Sequence, residues 1–506
     1  MSTETRTTEA EQTPSGRKFT FPSAFTVLFL VTIAVWLLAF IIPTGTYDQE
    51  DGAPVPGSYH HVDAGLSFMD RLMELFISPI NGLYGVENLD TGFIGPYETG
   101  ELFGAAGVFM FVIAIGIFIT MCMRTGAIDA GIARVAKRYS TRGPVLIIAL
   151  MVLFSIGGTA EGMAEETLGF YALVVPLMLS LGYDRMVAAA TILIGAGVGV
   201  LASTVNPFAT GVASDAAGIS IGEGIGLRFL MYIVLVPISI AFVLRYARRV
   251  KAHPARSRTG PQPGDDEIAA AGIGDVADIT TKQKFVLAIV GFTFAFMIFA
   301  IVPWAQVFDG PDAESYAWQL DWYFPELAAL FLAMSIVVGL IGGLGEKGLT
   351  DTLVRGAGDF VGVGLIIVLA RGVTVIMNNA LITDTVLHSM ENAVSNTSAG
   401  VFGALMFLLN LPLAFLVPST SGHAALAMPI LAPLADFAGV SRAMVVTAYQ
   451  SASGLINLIT PTSAVVMGGL ALAKVRYDHY LRFIAPLLLI LLVACTAFSA
   501  VGAALS

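Results

Sequence analysis

The chain reads as an all-α polytopic membrane protein, an inverted repeat with two re-entrant hairpins and two broken transmembrane helices. Composition, a series of apolar runs and a repeated pair of interruptions lead there. Of its 506 residues, 56% are hydrophobic and 12% charged, with a mean hydropathy of +0.80. Soluble chains carry about 25% charged residues. This excludes a soluble enzyme, a disordered chain and a nucleic-acid binder. The net charge of −11 leaves no basic field for phosphate. Cys122 and Cys495 both lie in apolar runs and make no disulfide framework.

Residues 1–23 are expected to be a cytoplasmic tail. Apolar runs long enough to span, at about 1.5 Å per residue over about 30 Å, occur at 24–43, 102–123, 227–247, 285–303, 325–344, 358–380 and 480–504. The first is followed by Pro43-Thr44-Gly45-Thr46 rather than a small-residue cleavage signature, so it reads as an uncleaved span. Residues 68–76 are amphipathic and fit the outer interface. Four further apolar stretches carry Gly, Pro, Ser and Thr at their centres: 144–182, 186–216, 400–438 and 443–473.

Charge sets the orientation. The 44–101 connection has ten acidic residues and one base, Arg71, whereas 124–142 and 245–284 are rich in Arg and Lys. Basic loops stay cytoplasmic, so the N-terminus lies inside and 44–101 and 304–324 outside. The arm 144–156 has thirteen residues, about 20 Å of helix, and is expected to fall short of crossing. Residues 144–182 therefore read as a hairpin entering from the cytoplasm, and 400–438 as one entering from outside. The expected divisions are a first repeat 24–247, a cytoplasmic linker 248–284, an extra helix and outer loop 285–324, and a second, inverted repeat 325–506. Pro176, Gly182 and Arg185 recur as Pro433, Gly439 and Arg442, and Asn206-Pro207 has its counterpart in Thr460-Pro461. Inverted repeats with broken helices near the midplane mark secondary transporters.

The breaks and the tips hold the candidate residues. Pro207 and Pro461 remove amide donors and release carbonyls inside the membrane. Ser203, Thr204 and Asn206 flank the first break, and Asn457, Thr460 and Thr462 the second, as candidate substrate ligands. Such a break can also be a kink re-satisfied by local hydroxyls. Thr159 at the first tip and Ser419, Thr420 and Ser421 at the second are hydroxyls that cap a helix or bind a carboxylate. Glu161, Glu165, Glu166 and His423 are candidates for proton or ion coupling. For the glutamates the alternative is a helix cap, and for His423 an ordinary hydrogen bond. Arg371 lies halfway through a span and reads as a fork for a substrate carboxylate, or as half of a structural ion pair with a hairpin Glu. Asn378 adds polar lining two turns on. Gly195-Ala196-Gly197-Val198-Gly199 fits close helix packing better than a dinucleotide loop. Gly356-Ala357-Gly358-Asp359 with Tyr183-Asp184 is reminiscent of an aspartyl intramembrane protease, but both Asp residues fall at cytoplasmic span ends.

Gly162-Met163-Ala164-Glu165-Glu166-Thr167, Asn206-Pro207-Phe208-Ala209-Thr210-Gly211, Ala370-Arg371-Gly372, Pro418-Ser419-Thr420-Ser421-Gly422 and Thr460-Pro461-Thr462-Ser463 resemble the YfcC-like carriers. That family is related to the anaerobic C4-dicarboxylate carriers and the arginine/ornithine antiporters, within the ion-transporter superfamily. The resemblance covers nearly the whole chain. It implies paired re-entrant hairpins, a homodimer and an elevator-type transport unit in the inner membrane. A Gln-like residue is more usual where His423 stands, which leaves substrate and coupling ion open. The expected function is secondary transport of a small carboxylate-bearing solute, a C4-dicarboxylate or an amino acid, coupled to H⁺ or Na⁺ or run by exchange. No cofactor is expected beyond Na⁺ as a coupling ion, and no nucleic acid. A channel-like pore is the rival reading, and an intramembrane protease the remote one.

Overall fold

The computed structural model describes residues 24–506 apart from 51–52, 56, 89–90, 272–277, 303, 310–313, 395–396, 417–418 and 462. Helices account for about three quarters of it. The first is α1 (Ala24–Leu38), and a region of two-residue strand pairs follows, with Gly45 opposite His61 in one and Val86 opposite Gly95 in another. Within that region lies α2 (Phe68–Tyr84). Then come α3 (Ala106–Arg124), α4 (Ala127–Arg138), α5 (Gly143–Ala160), a 3₁₀ turn at Glu165–Phe170, α6 (Tyr171–Ser180) and α7 (Arg185–Leu201). A π-turn at Pro207–Gly211 leads into α8 (Val212–Ala216) and α9 (Ile225–Ala252). After α10 (Asp265–Ala271) come α11 (Thr281–Ile301), α12 (Trp304–Asp309), α13 (Phe324–Gly342) and α14 (Gly345–Asn379). The chain closes with α15 (Thr383–Val394), α16 (Ala399–Leu416), α17 (Thr420–Phe437), α18 (Arg442–Asn457), α19 (Ala464–Leu472) and α20 (Tyr477–Leu505).

Among the described residues, seven helices are long and apolar enough to cross a membrane: α3, α5, α9, α11, α13, α14 and α20. Six match the expected runs. The seventh, α5, corrects an expectation: the helix continues through Gly157 and Gly158 to Ala160, and its 18 residues give about 27 Å. The arm is therefore long enough to cross. Residues of the expected first span form the shorter helix α1, which ends in turns at 39–42.

In α2 the usual amphipathic order is inverted. Glu74, Ser78, Asn81 and Gly82 are buried, while Phe68, Met69, Met73, Phe76 and Ile80 are exposed. The polar face packs on α14: Asn379 donates to Glu74 Oε1 at 3.1 Å, and a Cβ on Gly372 would sit 2.8 Å from the Ser78 carbonyl. An outward apolar face is what a helix at a lipid interface needs.

Two bodies of packing follow. Helices α3, α13 and α14 pack together, joined by α1 and α2. In the other, α5 and α9 pack on α7, and α16 and α20 on α18. The glycine run of α7 serves close packing, since a Cβ on Gly199 would lie 2.8 Å from Ser155 Cα in α5. The turns entering α7 and α18 match: Gly182 and Gly439 both have positive φ (77° and 62°), and Asp184 and Ser441 cap the helices that follow. The 253–271 linker docks on the first half, where Arg185 pairs with Asp265 at 2.6 Å and Ser257 donates to Asp184. Asp184 is thus a helix cap, which also accepts from Tyr246.

Candidate functional site

Between α5 and α6 the chain turns at Gly162, whose φ of 77° suits glycine. A Cβ there would meet Asn206 Oδ1 at 2.7 Å, so this turn lies directly on the first break. The Thr159 hydroxyl donates to the Ala202 carbonyl at 2.8 Å and accepts from the Thr204 amide at 3.0 Å. The Thr159 carbonyl in turn accepts from the amides of Thr204 and Val205. The break exists because Pro207 has no N–H and disfavours helix at Asn206. Asn206 restarts the helix as an N-cap, its Oδ1 accepting from Phe208 and Ala209. The Ser203 and Thr210 hydroxyls lie 2.8 Å apart across it.

The second tip is built likewise. Ser419 caps α17, accepting from the Gly422 amide at 3.2 Å. Asn457, the last residue of α18, donates to Thr420 Oγ1 at 3.1 Å, and Tyr449 donates to the Thr420 carbonyl at 2.5 Å. Ser421 is buried in the first turn of α17. His423 is buried, 3.0 Å from Asn410 Oδ1 and edge-on to Tyr449, which is the ordinary hydrogen-bonded alternative. Thr460 is fully buried within the second break, its hydroxyl making no hydrogen bond among the described residues. Thr462 lies outside the described residues.

The two broken helices cross at their breaks. A Cβ on Gly454 of α18 would sit 2.8 Å from the Leu201 amide nitrogen at the end of α7. Gln450 spans the crossing: its amide donates to the Ser203 carbonyl at 2.8 Å and its Oε1 accepts from Thr210 at 2.5 Å. The structure thus joins Thr159, Ser203, Thr204 and Asn206 to Thr420 and Asn457 through one helix.

Other expected residues lie elsewhere. Arg371 pairs with Asp215 of α8 at 2.9 Å and stacks on Phe103. Asp215 brings a carboxylate to α14 from beyond the first break, and Phe208 stacks on Phe360 three turns earlier in α14. Asn378 accepts from Thr383 at 2.6 Å in the turn after α14, a local link rather than site lining. Glu161 is buried at the end of α5. Glu165 and Glu166 begin the 3₁₀ turn, and their side chains lie outside the described residues.

Sequence reasoning missed Gln450, Asp215 and Arg228. Arg228, fully buried, donates through Nε to the Thr204 carbonyl at 3.2 Å and through Nη2 to the Ile221 carbonyl at 2.6 Å. It stands at the edge of an apolar run, where a basic residue reads as a span end. Its signal was a lone Arg opening an apolar run, with Asp215 and Glu223 before it.

The sequence matches the model of the C4-dicarboxylate anaerobic carrier family, DcuC, over residues 21–503. It is 32% identical over 93% of its length to an uncharacterised protein of Haemophilus influenzae, covering 95% of that protein. It is 30% identical over 93% of its length to an Escherichia coli protein described as "Putative basic amino acid antiporter YfcC", covering 94% of it. Two solved structures share the fold at a TM-score of 0.69, each over 95% of this chain. One is Neisseria gonorrhoeae MtrF, of a class of antimetabolite efflux pumps (16% identity, 95% of that chain). The other is the Alcanivorax borkumensis YdaH transporter (13% identity, 98% of that chain). Seven apolar helices and this near full-length family match make the chain a multi-pass membrane protein of the C4-dicarboxylate anaerobic carrier family.

Proposed function

We propose that the chain is a secondary active transporter of a small carboxylate-bearing solute, a C4-dicarboxylate or an amino acid. It works by exchange or with a coupled H⁺ or Na⁺, in the inner membrane and as a homodimer. The observation that carries this is the contact of two helix tips with two helix breaks, Thr159 with 202–205 and Thr420 with Asn457, at the crossing of α7 and α18. Paired discontinuous helices at a repeat interface are where transporters bind substrate. In this reading α5, although long enough to cross, turns back at Gly162, so that α5–α6 and α16–α17 enter from opposite faces and the second half is inverted. The matching turns into α7 and α18 support the repeat.

Thr204, Asn206, Ser421 and Asn457 would line the solute's site, with the hairpin glutamates serving an ammonium, a proton or Na⁺. Arg371 would take a carboxylate in exchange for Asp215, since one guanidinium fork serves one carboxylate at a time. The hairpins and the two broken helices would form the moving unit; the packing of α9 on α7 and of α20 on α18 supports counting these two spans with it and α1–α3, α11, α13 and α14 as scaffold. The family description names C4-dicarboxylates and the Escherichia coli relative's names basic amino acids, so both belong in the test. Proteoliposomes are assayed with radiolabelled members of each class under imposed pH or Na⁺ gradients. Saturable uptake with counterflow supports a carrier. Conductance without saturation or counterflow indicates a channel and ends this reading.

A further inference from the structure

Five backbone carbonyls at the two breaks are each taken by a side-chain donor. At the first, Thr159 donates to Ala202 at 2.8 Å, Gln450 to Ser203 at 2.8 Å and Arg228 to Thr204 at 3.2 Å. At the second, Tyr480 donates to Leu458 at 3.0 Å and Tyr477 to Ile459 at 2.5 Å. Arg228 and Tyr480 are both fully buried, and each lies in the first turn of the long helix, α9 or α20, that comes after the short helix restarting its break. They reach back 24 and 22 residues respectively. The two halves use one device, the next long helix reaching back past a short one to cap the carbonyls released at the break. They differ in charge, a guanidinium at the first break and a phenol at the second.

Released carbonyls at an unwound helix are the usual ligands of a coupling Na⁺. Such an ion needs several oxygens aimed at one point. Here the three consecutive oxygens of the first break each face a donor. Arginine stays charged when buried, and a second cation beside it would meet like charge in a low-dielectric interior.

From this we infer that Arg228 is the resident cation of the first break: it holds the carbonyl geometry that Na⁺ would otherwise hold, and the break takes no Na⁺. The idea of a coupling site rests on the carrier reading above, but the ion claim can be tested without any solute. Purified protein is melted in detergent while NaCl replaces choline chloride at constant ionic strength. A bound ion raises the midpoint saturably. The wild type is expected to show no Na⁺-specific rise. Arg228→Ala is expected to melt lower and to regain part of the loss with Na⁺ but not choline. Arg228→Lys, which keeps the charge, is expected to remain insensitive to Na⁺.

A saturable Na⁺ rise in the wild type that disappears in Thr159→Val, which strips one hydroxyl from the break, overturns the inference. A rise that Thr159→Val leaves intact arises at another site and agrees with it. An Arg228→Ala protein that folds but gains nothing from Na⁺ also overturns it, because Arg228 is then only a donor. Should Arg228→Ala fail to fold, the wild-type and Arg228→Lys titrations decide. Failure of solute transport in liposomes would sink the carrier reading and leave these melting results as they stand.

Discussion

Tyr449 and Gln450, neighbours on α18, reach into opposite halves of the site: Tyr449 donates to the Thr420 carbonyl at 2.5 Å and Gln450 to the Ser203 carbonyl at 2.8 Å. Successive residues on a helix point about 100° apart. One turn of α18 therefore ties the second tip to the first break.

Gln450→Leu removes the amide that faces both Ser203 and Thr210. Leaving a buried polar group unpaired costs about 1–3 kcal/mol. The variant should melt several degrees lower and transport poorly, whereas an unchanged midpoint would show that Gln450 does not hold the crossing.

Gly454→Val places a branched side chain against the Leu201 backbone, which cannot yield as a side-chain tip does. Overpacking of this kind costs about 1–3 kcal/mol. Gly226→Ala is the control, because a Cβ there meets nothing within 4 Å. It should be neutral or stabilising by up to about 1 kcal/mol. Equal melting of the two variants would deny the close crossing.

Arg371→Ala should raise the solute KM about 10- to 100-fold, the worth of a charged hydrogen bond of about 1.5–3 kcal/mol. Asp215→Asn frees the guanidinium and should leave affinity intact or improved. If Arg371 serves only to neutralise Asp215, the double variant Arg371→Ala/Asp215→Asn recovers transport. The proposal requires that it does not.

Glu74 lies on α2, outside the seven spans. Burial pushes its carboxyl up to about 7, with the charge of Asp70 adding and the Asn379 hydrogen bond opposing. The folded state then holds a proton that the unfolded state releases near its ordinary 4.5. Stability accordingly falls as pH rises from about 4.5 to 7. Glu74→Gln should flatten the melting profile over that range and gain on the order of 1–2 kcal/mol above pH 7, after allowance for solvent screening. An identical slope in the variant would place the proton elsewhere.

The spans and breaks were legible because hydropathy and proline act locally. Asn206-Pro207 and Thr460-Pro461 declare themselves in a few residues. Thr159 and Thr420 could be named from tip composition alone, and the structure puts each on its break. Gln450, Asp215 and Arg228 were not legible, since each matters through a partner far away in sequence. Arg371 showed the same limit: its charge was plain at mid-span, but its mate 156 residues away was not. The reach of α5 was misjudged because Gly157-Gly158 reads as a turn, whereas packing on α7 keeps it helical.

The most direct test is a cryo-EM map of the protein with its transported solute bound. The account predicts density between the two tips, within hydrogen-bonding distance of Asn206 or Thr204 on one side and Ser421 or Asn457 on the other. Density elsewhere, as in the groove of about 370 Å³ lined by Arg124, Asp351 and Arg355, with the tips still closed on their breaks, would contradict it.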